Sequence, residues 1–166
     1  LWVCRTTGKV LSRRFHKFFN VEERIETEAG SILLSDEFRV LEKVDGCLVS
    51  PVLLPDMGLV WATKSEVLPS VAVHLEALKR DTARAPAYTQ WAQGWLEEGW
   101  TPLFEWCRPG LGVVSHPRPS LVLLGLRHNV TGRYLGRDAL AASAAAHGIL
   151  IVAELPWPPS CPSSPG

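Results

Sequence analysis

The spacing of apolar and polar residues along the chain predicts a mixture of short strands and three helices. Apolar runs separated by a turn at Thr7-Gly8 predict a hairpin at the start of the chain. Helical spacing over 65–81 predicts a first helix, with Pro69 in its first turn. A second helix is predicted over 85–99, and an Ala-rich third helix over 137–148.

Strands are predicted between and around these helices. Their ranges are 1–4, 8–12, two strands within 31–43 that meet near Ser35-Asp36, 47–54, 58–64, 101–106, 110–115, 120–128, 132–135 and 149–155. Several of them follow one another as hairpins, and single strands do not alternate regularly with helices. This order favours an α+β fold with a largely antiparallel sheet.

Composition narrows the possible classes of protein. The 166 residues suit one domain, predicted at 1–155, followed by a Pro/Ser-rich tail at 156–166 that we expect to be disordered. Lys plus Arg and Asp plus Glu are both 17, which excludes binding of nucleic acid by bulk positive charge. The 4 cysteines are scattered, so a zinc site and a disulfide framework are not expected.

No apolar run has the length of a membrane span. We therefore expect an intracellular protein, cytoplasmic or nuclear, without a membrane partner.

The first candidate for chemistry is the run Glu42-Lys43-Val44-Asp45-Gly46. A strand delivers Lys43 to a tight Asp-Gly turn, where the glycine lets a ligand or the backbone approach closely. A lysine in this place can act as a nucleophile if its surroundings keep it neutral. The alternative is a solvated lysine beside an ordinary hairpin turn, and the pentapeptide alone favours that alternative.

Two further segments are suited to a nucleotide. In the run 13–20, cations such as Lys17 alternate with aromatic rings such as Phe19, so cations can meet phosphates while a ring stacks on a base. In the strand 101–106, Glu105 points away from its two aromatic neighbours and could accept hydrogen bonds from ribose hydroxyls. The alternatives are an amphipathic strand for the first segment and a solvent-facing glutamate for the second.

Taken together and in order, four blocks at 13–20, 42–46, 101–106 and 121–135 carry a resemblance to a known family. The chain resembles the nucleotidyltransferase domain of ATP-dependent RNA ligases of the phage RNA-ligase and tRNA-ligase type. Lys64 stands where that family has a second basic residue after the nucleophile. The resemblance implies an antiparallel-sheet-rich covalent nucleotidyltransferase fold that uses ATP and Mg²⁺ to join RNA 5′-phosphate and 3′-hydroxyl ends.

The resemblance also implies roles for individual residues. Lys43 would carry AMP on its side chain, and Glu105 would hold the ribose. Lys17 and Phe19 would line the nucleotide pocket, and Lys64 would face the phosphates. The remaining members of the nucleotide-binding set are Glu42, Asp45 and Gly46. Metal ligands are not assigned.

Departures from the family pattern lie at both ends of the chain. An Arg-Gly pair that precedes the first strand in the family is missing, as are a later Glu-Gly strand and a Lys-x-Lys strand. We therefore expect a domain truncated at both ends, with impaired catalysis. Two alternatives stay open at this point. One is a non-catalytic nucleotide- or RNA-binding remnant of the same fold, and the other is a related DNA ligase or capping nucleotidyltransferase.

Overall fold

The computed structural model describes residues 1–31, 38–81, 87–110 and 116–156, and these form a mixed α and β structure. The strands are β1 (Trp2–Val3), β2 (Val10–Ser12), β3 (Val40–Leu41), β4 (Cys47–Leu54), β5 (Gly58–Ala62), β6 (Trp100–Cys107), β7 (Ser120–His128) and β8 (Glu154–Leu155). The helices are α1 (Pro69–Asp81), α2 (Ala87–Glu97) and α3 (Arg137–Ala146), with a 3-10 turn at Ile25–Thr27. The strands named here pair antiparallel, which confirms the predicted fold class.

Three of the predicted features fall outside the described residues. They are the strand at 110–115, the tail beyond residue 156 and the first of the two strands within 31–43. The three helices lie where their apolar spacing predicts them. The first begins at Pro69, and Gly99 and Gly148 follow the other two with positive φ angles of 84° and 67°. A left-handed residue just beyond a helix ends it, because the chain can no longer continue the helical hydrogen bonds.

The chain divides into two compact units. The larger unit comprises Leu1–Phe15 and Val44–Val152, and the smaller comprises His16–Lys43 and Ala153–Gly166, described as far as residue 156. The interpretation of 1–155 as one domain stays a prediction.

A four-stranded antiparallel sheet in the order β5-β4-β6-β7 forms the centre of the larger unit. Phe104 on β6 is fully buried, and its ring contacts those of Tyr88 and Trp91 on α2 at centroid distances of 5.9 and 6.0 Å. Val71 on α1 and Leu140 on α3 belong to the same core. All three helices therefore pack against one face of this sheet.

Two prolines lie at the place where the ladder between β4 and β6 ends. That ladder runs from Cys47 opposite Trp106 to Val49 opposite Phe104 and stops there. Pro51 and Pro102 follow on the two strands, and each continues to pair with its outer neighbour. Because proline has no N–H to donate, neither strand can extend the shared ladder through its proline.

Polar contacts join the short strand β2 to the four-stranded sheet within the larger unit. The Arg13 N–H donates to the Thr101 hydroxyl at 2.9 Å, and that hydroxyl donates to Asn129 Oδ1 at 2.6 Å. The Asn129 amide donates in turn to the carbonyl of Leu11. Thr101 and Asn129 are buried, so this network satisfies polar groups that water cannot reach.

In the smaller unit, β3 and β8 pair antiparallel, with Val40 opposite Leu155. Arg39 forms an ion pair with Glu154, in which its Nη1 atom lies 3.1 Å from both carboxylate oxygens. The sequence predicts one strand over 149–155, but only its last part forms one. Around Ile151, in the larger unit, the chain instead makes a single parallel bridge to Leu123 on β7.

Candidate active site

Lys43 follows directly on the paired strand of the smaller unit. The Glu42 N–H donates to the carbonyl of Ala153 at 3.0 Å, which extends the β3–β8 pairing by one residue. Both Glu42 and Lys43 are exposed. The predicted strand before the lysine is therefore present, and its pairing with β8, near the end of the described chain, holds it in place.

The Asp45-Gly46 turn belongs to the larger unit, where it lies against β6. A Cβ atom at Gly46 would lie 2.6 Å from the Trp106 carbonyl oxygen and 3.1 Å from Glu105 Cγ. The first distance is too short for a real contact, so only glycine fits here. His116 Nε2 donates to the Asp45 carbonyl at 2.6 Å, which also holds the turn in place.

Glu105 lies on the side of β6 opposite the helix-facing Phe104 and Trp106, as its alternation in sequence predicts. Its strand neighbours are Leu48 and Val122, and its side chain is half-buried. The close approach of Gly46 brings the Asp-Gly turn next to this carboxylate. Within the larger unit, the structure thus brings together three predicted site residues, Asp45, Gly46 and Glu105.

Lys64 is exposed in a tight turn after β5. The Thr63 hydroxyl accepts hydrogen bonds from the N–H groups of Ser65 and Glu66, and the Thr63 N–H donates to the Glu66 carbonyl. These bonds close the turn around Lys64 without involving its side chain, so they leave its ammonium available to an anion.

In the smaller unit, Lys17 and Phe19 are in contact with each other. The Lys17 ammonium lies 4.8 Å from the centroid of the Phe19 ring, and the Arg24 guanidinium lies at the same distance. A ring flanked by two cations carries a local positive charge next to an aromatic surface, which suits a nucleotide. The structure thus places Lys17 and Phe19 together, as the sequence predicts, and adds Arg24 to them.

The RNA ligase family model matches residues 1–154, and therefore covers both sets of residues just described. The chain belongs to the RNA ligase family. A protein of Thermovibrio ammonificans that is named as a candidate RNA ligase is 34% identical over 134 residues. Those residues are 80% of this chain and 34% of that protein.

The fold agrees with this membership. The structure titled archaeal ATP-dependent RNA ligase, form 2, superposes with a TM-score of 0.52 at 17% identity. The superposition covers 70% of this chain and 30% of that one, so the present chain spans about a third of its relatives. The family match over residues 1–154 confirms the resemblance drawn from the four sequence blocks, and it favours the RNA ligases over the DNA ligases and capping enzymes.

Sequence reasoning missed three residues of this RNA ligase chain that the structure places beside predicted ones. Arg24 lies in the acidic, polar segment 21–30, whose pattern suits a surface loop or a short helix, and nothing in its spacing indicates the contact with Phe19. His116 is 71 residues from Asp45 in sequence, so their hydrogen bond leaves no local signal. Arg14 lies within the basic-aromatic run, and its burial distinguishes it from its neighbours.

Burial changes the proton affinity of two groups in this region. It lowers the pKa of Arg14 to about 10, because the guanidinium loses water, and the nearby Cys47 thiol offsets only part of that loss. Burial also raises the pKa of the Cys47 thiol, and the nearby negative charge of Glu105 adds to that rise.

The residues that the structure describes contain no cluster of three or more His, Cys, Asp or Glu side chains able to hold a metal ion. They therefore provide no ready-made magnesium site, and we assign no protein ligands to that ion.

None of the helices in the described ranges has both the length and the apolar character needed to cross a lipid bilayer.

Proposed function

We propose that this RNA ligase chain carries the nucleotide-transfer step of an ATP-dependent ligase, with Lys43 as the nucleophile. The observation that carries the proposal is the packing of Gly46 against Trp106 and Glu105, because it places the Asp-Gly turn beside a half-buried carboxylate. Family membership over residues 1–154 supports the same assignment. ATP and RNA ends are the proposed substrates.

In the proposed reaction, the neutral Lys43 amine attacks the α-phosphorus of ATP. The bond to the bridging oxygen breaks, pyrophosphate leaves, and AMP stays joined to the lysine nitrogen. The oxygen of an RNA 5′-phosphate then displaces the lysine and takes the AMP. An RNA 3′-hydroxyl finally attacks the activated phosphate, which forms the phosphodiester and releases AMP.

The other residues have supporting roles in this proposal. Glu105 accepts hydrogen bonds from the ribose hydroxyls, and the Asp45-Gly46 turn lets the nucleotide approach the backbone closely. Lys64 neutralises phosphate charge, which stabilises the transition state of phosphoryl transfer. Lys17 and Phe19 contribute a cation and a stacking surface. Glu42 completes the nucleotide-binding set next to the nucleophile.

We expect magnesium to enter with the triphosphate, where it neutralises phosphate oxygens. Since the described residues hold no acidic cluster, no step is assigned to a metal held by the protein.

The experiment is to incubate the chain with Mg²⁺ and ATP labelled at the α-phosphate, and to follow transfer of label to protein. A phosphoramidate label is stable to alkali and lost in acid, and digestion with mass spectrometry should place it on Lys43. Lys43→Ala should abolish labelling. Lys9→Ala changes another exposed lysine, in the first hairpin, and should leave labelling unchanged.

Labelling that persists in Lys43→Ala contradicts the assigned nucleophile. If the parent chain binds ATP but carries no label, the chain is a nucleotide-binding member of the family without the transfer chemistry. Labelling by GTP in place of ATP would contradict the proposed donor.

A further inference from the structure

Arg14 is a buried cation with incomplete hydrogen bonding. Its side chain is only 7% exposed, and its Nη2 donates to the Thr63 carbonyl at 2.7 Å. Its Nε and Nη1 atoms are buried and have no hydrogen-bond partner among the described residues. A buried N–H without an acceptor is costly, and more so when it carries charge. These atoms therefore indicate an acceptor beyond those that the described part of the chain supplies.

Two serine hydroxyls in the larger unit are also buried without hydrogen-bond partners among the described residues. Ser12 is the last residue of β2 and precedes Arg14 by two positions. Ser50 lies on β4, and β2 packs against this strand. Ser50 is opposite Ala62 in the ladder, and Ala62 precedes Thr63, whose carbonyl anchors Arg14. Two strands in contact thus each carry a buried hydroxyl, close in sequence to Arg14 or to the residue opposite its anchor.

The surroundings of Arg14 identify the kind of ligand that fits. Within the described residues, the titratable group acting on Arg14 is the Cys47 thiol, whose own pKa is raised by burial. A mostly protonated thiol does not balance a guanidinium. The guanidinium fork is suited to phosphate oxygens. In Arg14, Nη2 already donates to Thr63, so Nε and Nη1 are the nitrogens that would donate to phosphate oxygens, with hydroxyl groups as further donors.

We propose that Arg14, assisted by Ser12 and Ser50, forms a phosphate-binding subsite in the larger unit. Thr63 connects this subsite to the proposed chemistry, because its carbonyl anchors Arg14 and the next residue is Lys64, already assigned to phosphates. The phosphate comes from the triphosphate of ATP or from the 5′-end of RNA. This choice of source rests on the proposed function, whereas the binding of phosphate does not.

Binding is tested with inorganic pyrophosphate as the probe, by its effect on thermal unfolding of the 166-residue chain. Pyrophosphate should raise the unfolding temperature of the parent. Arg14→Gln should weaken the apparent affinity by about 10- to 100-fold, as expected for loss of charge-assisted hydrogen bonds. Arg14→Lys should retain part of the affinity, because it keeps the charge but not the fork. The matched control is Arg5→Gln, an exposed arginine of the first hairpin, which should respond like the parent.

Stability without ligand separates a binding residue from a structural one. Since Arg14 is buried with unpartnered N–H groups, Arg14→Gln should unfold at the same temperature as the parent or higher. If pyrophosphate stabilises Arg14→Gln as strongly as the parent, the subsite does not exist. A lower unfolding temperature of Arg14→Gln together with unchanged affinity would make Arg14 a structural cation and overturn the proposal.

Two activity measurements, the rate of lysyl-AMP formation and the rate of AMP transfer to RNA, identify the source of the phosphate. Slower formation of lysyl-AMP in Arg14→Gln assigns the subsite to the triphosphate. Normal formation of lysyl-AMP, followed by slow transfer to 5′-phosphorylated RNA, assigns it to the RNA end. Failure of the proposed function can be told apart from failure of the subsite. Lys43→Ala should lose the AMP label, but pyrophosphate should still raise its unfolding temperature. The parent chain could also form no lysyl-AMP and still be stabilised by pyrophosphate in a way that depends on Arg14. That result would support the phosphate subsite and contradict the proposed ligase step.

Discussion

The two faces of the four-stranded sheet differ in the side chains that they carry. The face toward the helices is built from aromatic packing, with Phe104 fully buried among aromatic rings of α2. On the other side of β6, Glu105 is half-buried next to Gly46. Its partner in the ladder, Val122, is buried in a smaller apolar cluster. The comparison teaches that one side packs aromatic rings against the helices, whereas the other combines apolar packing with polar groups that are proposed to meet a ligand.

Phe104 and Glu105 show how closely the two roles adjoin. They are consecutive residues of β6, and strand geometry turns them to opposite faces. Substitutions on the two sides should therefore have separable effects, which the first two of the following four predictions examine.

The largest effect is expected for Phe104→Ala. Removing a fully buried ring leaves a cavity between the sheet and α2, and it should reduce the free energy of unfolding by about 3–5 kcal/mol. Urea denaturation followed by circular dichroism measures the change. Val73→Ala on the exposed side of α1 is the control and should change it by less than about 0.5 kcal/mol. Equal losses for the two variants would show that the helix-facing side is not the stabilising core.

Glu105→Gln should leave stability nearly unchanged and weaken ATP binding by about 10- to 100-fold. The amide keeps the shape of the side chain but loses the charge that strengthens hydrogen bonds to ribose hydroxyls. Isothermal titration with ATP measures the affinity, with Glu98→Gln on an exposed position as the control. Unaltered ATP affinity in Glu105→Gln would remove this residue from the proposed site.

Two glycine substitutions should act in opposite directions. Gly46→Ala places a Cβ 2.6 Å from the Trp106 carbonyl oxygen, and the resulting displacement should cost about 1–3 kcal/mol. Gly94 lies within α2 with open space where its Cβ would stand. Gly94→Ala should therefore stabilise by about 0.5–1 kcal/mol, since alanine loses less backbone entropy in a helix. Thermal unfolding of both variants checks the contrast, and a destabilising Gly94→Ala would contradict it.

The smallest effect concerns thiol reactivity. Hydrogen bonding to the Thr6 hydroxyl lowers the pKa of Cys4 to about 6, whereas burial raises that of Cys47. Iodoacetamide should thus modify Cys4 rapidly above about pH 6, because the thiolate is the nucleophile, and Cys47 should react slowly throughout. Alkylation resolved by peptide mass spectrometry measures both rates. Thr6→Val should shift the Cys4 profile to higher pH, and an unshifted profile would refute the stated cause.

Local signals were sufficient to predict much of the fold. Apolar alternation in β6 predicts the opposed directions of Phe104 and Glu105, and the helix at Pro69 follows from spacing and a known first-turn preference. Gly8, with a φ of 70°, forms the predicted turn of the first hairpin. Each of these features depends on residues within a few positions of one another.

The contacts that attach β2 to the sheet could not be predicted in the same way. Arg13 and Thr101 are 88 residues apart, and neither position differs in pattern from an ordinary surface residue. The unsatisfied state of Arg14 likewise emerges only when β2, β4 and the turn at Thr63 meet. The sequence indicated Lys43 as the candidate nucleophile and Glu105 as the candidate ribose-binding residue, whereas the burial of Arg14 became visible only in the tertiary structure.

The pairing of β3 with β8 has a consequence for the order of folding. Arg39 and Glu154 are separated by 115 residues, so the strand that leads into Lys43 gains its partner only after nearly all of the described chain has been synthesised. Contacts between such distant residues carry a high loop-closure cost and form late. During translation, the central sheet can therefore assemble before the strand leading into Lys43 is secured. The proposed nucleophile is then among the last parts of the described chain to acquire its final geometry.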